Sequence, residues 1–275
     1  MSTDVSFQIP ALPKVAREAL VHLYKADPEV AILVRILSSD PGLSSDIFRL
    51  ANSAFLGGTN PTSDLKTAIG RVGLTTLRQL VMLNAMASSY KLDFGGIISV
   101  NEFWKHGAYV GQVAYTIAKK LKHPFADELQ ITGLLHDIGI VFMHFNEPET
   151  ISTLTRYCKT HATDLSAAEK ALGTSKHSSL GALVLEQWKL SEKLQLYISL
   201  HDSPEAQMAK LSPEDQSALK ILKLSDTLAH RNQFGFKDYT RSTAIDVGEL
   251  ESLGLAAQDL RQISTQCSEF LKLFI

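Results

Sequence analysis

Cysteine is almost missing from this sequence. Only Cys158 and Cys267 occur in 275 residues, far apart and in no Cys-x-x-Cys pair. That excludes a disulfide framework and a thiolate metal knuckle, and it fits a reducing, cytoplasmic location. Long apolar runs are missing as well. No stretch approaches the roughly 18 residues a membrane helix needs. The opening MSTDVSFQIP has no basic segment leading into an apolar one, so neither a membrane span nor an export signal is expected. Nor is there an excess of one charge: 27 Lys and Arg stand against 29 Asp and Glu, a net charge of -2. Nothing in that balance advertises nucleic acid as a partner. Strand signals are absent too, with no alternation of strand length and no Asn-Gly hairpin. So are a phosphate-binding Gly-x-x-x-x-Gly-Lys loop, a Gly-x-Ser-x-Gly elbow and a His-Glu-x-x-His helix.

What remains is an ordinary globular composition, 45% hydrophobic and 20% charged, with enough apolar surface for a core. Apolar residues recur at helical spacing nearly throughout, and Gly and Pro fall at boundaries. An all-α, multi-helix fold is expected. Short helices are expected over 28–37 and 43–52, from a cap at Ser63 or Asp64 through Ile69, and from Gly73 through Met86, with a loop at 92–99. Longer ones are expected over 102–121, 127–145, 149–161, 166–171, 175–188, 191–201 and 213–230. The last runs over 257–273, after a break at 248–254. On this reading the chain divides into an N-terminal helical part (1–100), a helical core (101–230) and a C-terminal extension (231–275) packed on that core.

The chemistry lies in the histidines. His106 shares a helix face with Val110, Val113, Ile117 and Leu121. His136-Asp137 interrupts the otherwise apolar stretch Gly133 to Gly139. His177 shares a face with Leu180, Gly181 and Val184. His201, followed by Asp202, shares one with Leu194, Tyr197 and Ile198. Asp226 lies with Leu219, Leu222 and Ala229. Burying ionisable groups without partners is costly. The residues alone leave two readings open: each inward histidine bonds singly to backbone, or imidazoles and carboxylates share a cation. The other histidines carry less signal. His123 sits in a turn and His161 at a helix end; His144 is at most a second layer. His22 and His230 lack an acidic neighbour. Cys158 and Cys267 read as packing residues.

The pattern His106, His136-Asp137 within Gly-Leu-Leu-His-Asp-Ile-Gly, and Asp226 within Leu-Ser-Asp resembles the HD superfamily of metal-dependent phosphohydrolases. More of the chain resembles one branch, the HDOD (HD-related output domain) family. The matching elements are Ile9-Pro10-Ala11-Leu12-Pro13, Asp40-Pro41-Gly42-Leu43, Asn52-Ser53-Ala54, Ala68-Ile69 through Gly73-Leu74, Phe103-Trp104-Lys105-His106, and the helix from His177 to Trp188. Together they cover roughly residues 8–230.

The resemblance implies an HD-like helical core preceded by an N-terminal helical subdomain. It implies His106, His136, Asp137 and Asp226 as metal ligands, with Asp137 also the catalytic candidate that orients a nucleophilic water. His177 and His201 match positions that would serve a second metal or stand behind the first, and Asp202, which can still coordinate, stands where the HD-GYP phosphodiesterases carry a second histidine. One or two divalent transition metals are implied: iron, manganese, zinc or cobalt. Two further departures matter. The related HD-GYP phosphodiesterases carry a phosphate-binding Lys where this chain has Ile140, and their GYP element is not found. The expected function is therefore a signalling or regulatory protein with an HD-type metal site and weak or no turnover. It would take its input from a partner protein or from a nucleotide or other phosphoester ligand. The alternatives are an active metal-dependent phosphohydrolase or phosphodiesterase, and a helical scaffold with a vestigial cluster.

Overall fold

The computed structural model describes residues 11–25, 27–56, 60–89, 100–234 and 244–272. The loop expected at 92–99 and the last residues of the helix expected at 257–273 lie outside them. The described residues are helical, with no strand among them. Among them no helix is long and apolar enough to cross a membrane. They form two compact units, one comprising 11–89 with 269–272, the other 100–268.

The smaller unit contains α1 (Lys14–Leu23), α2 (Val30–Leu37), α3 (Pro41–Ala51), a 3-10 turn (Ala54–Leu56), α4 (Leu65–Val72) and α5 (Leu74–Ser89). Its helix starts follow from local chemistry. The Asp40 carboxylate accepts the Leu43 amide at 3.0 Å, and Pro41 opens α3 with its φ already helical. Asp64 does the same for α4, accepting Thr67 N–H at 2.8 Å. Asn52 closes α3 and clips the following loop, its side chain exchanging two hydrogen bonds with Thr62. Leu20, Leu23, Leu33, Leu37, Ile47, Ile69 and Leu77 fill the interior. Each such burial is worth about 1.5–3 kcal/mol.

The larger unit contains α6 (Val100–Lys120), α7 (Ala126–Leu135), α8 (Ile138–Asn146), α9 (Pro148–His161), α10 (Leu165–Leu172), α11 (His177–Gln187) and α12 (Glu192–Leu200). Then come α13 (Glu205–Met208), α14 (Pro213–Arg231), α15 (Val247–Ser252) and most of α16 (Ala257–Leu271), whose residues from 269 on are counted with the smaller unit. α6 packs on α7 along a seam of glycines. A Cβ at Gly133 would lie 2.6 Å from the Gly111 backbone, and one at Gly107 or Gly111 would strike the carbonyl of Leu134 or Gln130. α16 is joined to α6 by Tyr109 O–H donating to Ser264 Oγ at 3.2 Å and by a Lys120–Asp259 ion pair at 3.0 Å.

Two expectations are corrected here. The single helix expected over 127–145 is two, broken at His136-Asp137. Adjacent residues on one helix point about 100° apart, so an unbroken helix would send one of this pair away from any common site. Asp137, at φ -96° and ψ 9°, leaves the helical register, and Ile140 N–H bonds to its carbonyl in a tighter turn. The break expected at 248–254 holds helix α15. The Asp246 carboxylate accepts from Gly248 and Glu249 N–H at 2.6 and 3.1 Å, and this cap outweighs the poor helix propensity of Gly248.

Candidate metal centre

The larger unit brings all seven residues singled out in the sequence into one buried cluster. α6 supplies His106 and α14, packed against it, supplies Asp226. The α7–α8 break supplies His136 and Asp137. α11 begins with His177, and the end of α12 supplies His201 and Asp202.

Asp137 divides the cluster into two groups. Its Oδ2 lies 3.3 Å from His136 Nε2 and 3.6 Å from His106 Nε2. Asp226 Oδ1 completes that group, 3.2 Å from His106 Nε2 and 3.8 Å from His136 Nε2. Asp137 Oδ1 faces the other way, 3.5 Å from His177 Nε2 and 3.6 Å from His201 Nε2. Asp202 Oδ2 completes the second group at 3.3 and 3.5 Å from the same two nitrogens. The four imidazoles and Asp226 are buried. The Asp137 side chain keeps 11% exposure.

The far side of each ring fixes what its near side can do. His106 Nδ1 donates to the Phe234 carbonyl at 2.9 Å, His136 Nδ1 to Gly133 at 2.8 Å and His201 Nδ1 to Ile198 at 2.7 Å. A carbonyl only accepts, so the proton sits on Nδ1 in each. His177 Nδ1 meets the Glu169 carboxylate at 2.8 Å with the same result. In a neutral ring Nε2 then turns a lone pair inward, and these nitrogens meet in pairs, His106 with His136 and His177 with His201, each at 3.2 Å. Two lone pairs that close repel unless a positive charge lies between them, a proton in the metal-free cluster or a metal ion in a loaded one. Two nitrogens each about 2.1 Å from one transition-metal ion would be 3.2 Å apart at an angle of roughly 100°. The donor set thus fits a metal ion in each group.

Charge points the same way. Burial opposes the protonated form of His136, yet Asp137 and Asp226 outweigh it and push its pKa up to about 9. His177 is likewise held well above its usual value, burial being outweighed by Asp202 and Glu169. Asp137 lies well below the carboxylate range, because His136, His201 and His177 outweigh its burial. The cluster is a cage that attracts positive charge.

Three contributors were not legible as site residues. Glu169, on the buried face of α10, accepts both the Nδ1 proton and the backbone N–H of His177 at 2.8 Å. His230, read above as lacking an acidic neighbour, has its Nε2 3.5 Å from Asp226 Oδ1. The signal was there: four residues is one helical turn. His106, Asp226 and His230 could also share an ion. His106 Nε2 has a single lone pair, so His230 enlarges the first group and does not create a third. Phe234 enters through its backbone oxygen, which no sequence pattern marks. By contrast, His22, His123 and His161 each donate to a backbone carbonyl.

Comparison with known proteins agrees with this fold. The HDOD domain family matches residues 9–204. An uncharacterized protein of Treponema pallidum is 25% identical over 199 residues, 70% of this chain. The chain spans only 37% of that relative's length. Among solved structures, an HDOD domain protein of unknown function from Geobacter sulfurreducens superposes with a TM-score of 0.72 at 20% identity, covering 94% of this chain and 84% of its own. A protein from Shewanella amazonensis, provisionally described as a phosphohydrolase, gives 0.74 at 24% identity over 98% and 96%. One from Marinobacter aquaeolei, provisionally a signal transduction protein, gives 0.75 at 18% identity over 99% and 61%. These likenesses establish a shared fold.

Proposed function

The chain belongs to the HDOD domain family, and on that basis we propose that it is a regulatory module holding two divalent transition-metal ions, with weak or no turnover of phosphoesters. The observation that carries this reading is the pair of inward-facing Nε2 contacts at 3.2 Å, each closed by aspartate. His106, His136, Asp226 and Asp137 Oδ2 hold one ion; His177, His201, Asp202 and Asp137 Oδ1 hold the other. Mixed nitrogen and oxygen donors suit iron, manganese, zinc or cobalt.

The ligands come from α6, the α7–α8 break, α11, α12 and α14, so loading the cage ties five parts of the unit together. Binding free energy then becomes folding free energy, and metal occupancy is a state that a partner protein or phosphoester ligand can read or alter. The cage is closed by burial, which suits a held ion better than a rapidly exchanging substrate. Ile140, 1% exposed and apolar, brings no charge to a phosphate group.

A second reading, an active phosphohydrolase, is favoured by one observation: Asp137, shared by both groups, keeps 11% of its side chain open to solvent. A bound ion supplies Lewis acidity and lowers the pKa of a water. Asp137 would orient that water.

The deciding experiment measures metal by mass spectrometry in protein purified without an affinity-metal column. A His136→Ala, Asp137→Ala double variant, checked for folding by circular dichroism, is the control. Two equivalents in the wild type, lost in the variant, are expected; none after reconstitution with iron, manganese and zinc sinks the metal reading. Hydrolysis of bis(p-nitrophenyl) phosphate that vanishes in Asp137→Ala would replace the regulatory reading with the catalytic one.

A further inference from the structure

Three of the four imidazoles are oriented by nearby chain: His136 by Gly133 and His201 by Ile198, each three residues back, and His177 by Glu169, eight residues back. His106 differs. Its Nδ1 partner, the Phe234 carbonyl, is 128 residues away and lies beyond the segment that matches the family.

That carbonyl is aimed by a hook at the end of α14. Gln233 adopts a left-handed backbone, φ +63°, which returns the chain so that Phe234 N–H bonds to the Ala229 carbonyl at 2.9 Å. The Phe234 ring then stacks on Tyr109, centroids 4.4 Å apart and planes 16° apart. Asn232 Nδ2 donates to Tyr109 Oη at 2.7 Å and to Ser264 Oγ of α16 at 2.8 Å. Tyr109 O–H donates to the same Ser264. One interlocked set thus joins α6, the end of α14 and α16, and its product is a carbonyl that keeps the His106 proton on Nδ1.

We propose that Phe234 is a positioning residue for the first metal position, and that Asn232 and the docked α16 set the occupancy of that position through it. The second position, whose rings are oriented from α10 and α12, does not depend on this hook. The inference rests on the metal reading above.

The test is a Co²⁺ titration of metal-stripped full-length protein, wild type against Phe234→Ala, Asn232→Ala and Phe234→Tyr. Circular dichroism of the metal-free forms checks folding. Two equivalents are expected in the wild type and in Phe234→Tyr, which keeps the stacked ring. In Phe234→Ala and Asn232→Ala one equivalent should weaken about 10–100-fold while the other stays at wild-type affinity. Made in a His177→Ala background, where only the first position is intact, Phe234→Ala should weaken the remaining equivalent by the same factor. Two equivalents at wild-type affinity in both alanine variants overturn the proposal, and so does equal weakening of both equivalents. Failure of the metal reading is recognised separately, by a wild type that takes up no Co²⁺.

Discussion

Glu169→Ala tests most directly how the second group is built. His177 is the first residue of α11, so its backbone N–H is one of the donors a helix start leaves without an intrahelical partner. Glu169, 2% exposed, reaches across from α10 and accepts that N–H and the ring Nδ1 proton with one oxygen, both at 2.8 Å. Its charge also sits at the positive end of α11. Removing the carboxylate leaves two buried donors without their acceptor. Hydrogen bonds to a charged group are worth about 1.5–3 kcal/mol each, so Glu169→Ala should cost about 3–6 kcal/mol. Glu169→Gln keeps an oxygen in place and loses only the charge-dependent part, about 1–3 kcal/mol. Urea unfolding of the metal-stripped protein measures both, read as a shift in midpoint at constant slope. Metal affinity at the second position should fall about 10–100-fold in Glu169→Ala, since the imidazole loses the partner that fixes its tautomer. An alanine variant that unfolds within about 1 kcal/mol of the wild type and binds both ions unchanged would refute this account of α11.

Three further outcomes are expected. Gly139→Ala would drive a Cβ into the His177 carbonyl, with Gly181 N only 2.8 Å away. These are backbone atoms that cannot swing aside, so it should cost about 3 kcal/mol or more by thermal unfolding. Gly42→Ala, whose nearest neighbour is a side-chain oxygen at 3.4 Å, should cost far less. Asp215 accepts from Lys193, Tyr197 and Ser212, and these outweigh its burial and lower its pKa from 3.8. Its folded value lies below its unfolded one, so its contribution is complete above the usual carboxylate range and drains away as pH falls below about 4. Asp215→Asn should flatten that part of the acid-unfolding curve. Finally, chelation should lower the melting temperature of metal-loaded protein, by the equivalent of about 4 kcal/mol where free metal stood a thousandfold above its dissociation constant. No change on chelation would mean that metal does not favour the folded form.

The helices were legible because their signals are local. Asp40, Asp64 and Ser212 cap where their side chains can reach the first-turn amides, and an apolar face shows at fixed spacing. The inward faces of His106, His177, His201 and Asp226 could be read in the same way. What escaped was set by contacts between distant segments. The break at His136-Asp137 is invisible to periodicity, because both flanking helices are apolar. Glu169 looks like any helical glutamate until α11 is placed over it. Phe234 acts through a backbone oxygen, which every residue carries. His230 escaped for a simpler reason: its acid, Asp226, lies a helical turn away and not beside it in sequence.

The glycine seam between α6 and α7 has a consequence for how the first pair of nitrogens keeps its spacing. With Gly107, Gly111 and Gly133 against bare main chain, no side chain lies between the two helix backbones to yield or be exchanged. The separation of His106 and His136 is therefore dictated by backbone against backbone, one residue along from the contact on α6 and three along on α7. Drift elsewhere in the sequence can repack the outer surfaces of both helices without altering that dimension. A single methyl group in the seam would widen it, and every variant of this chain that keeps the nitrogen pair should keep these three positions bare.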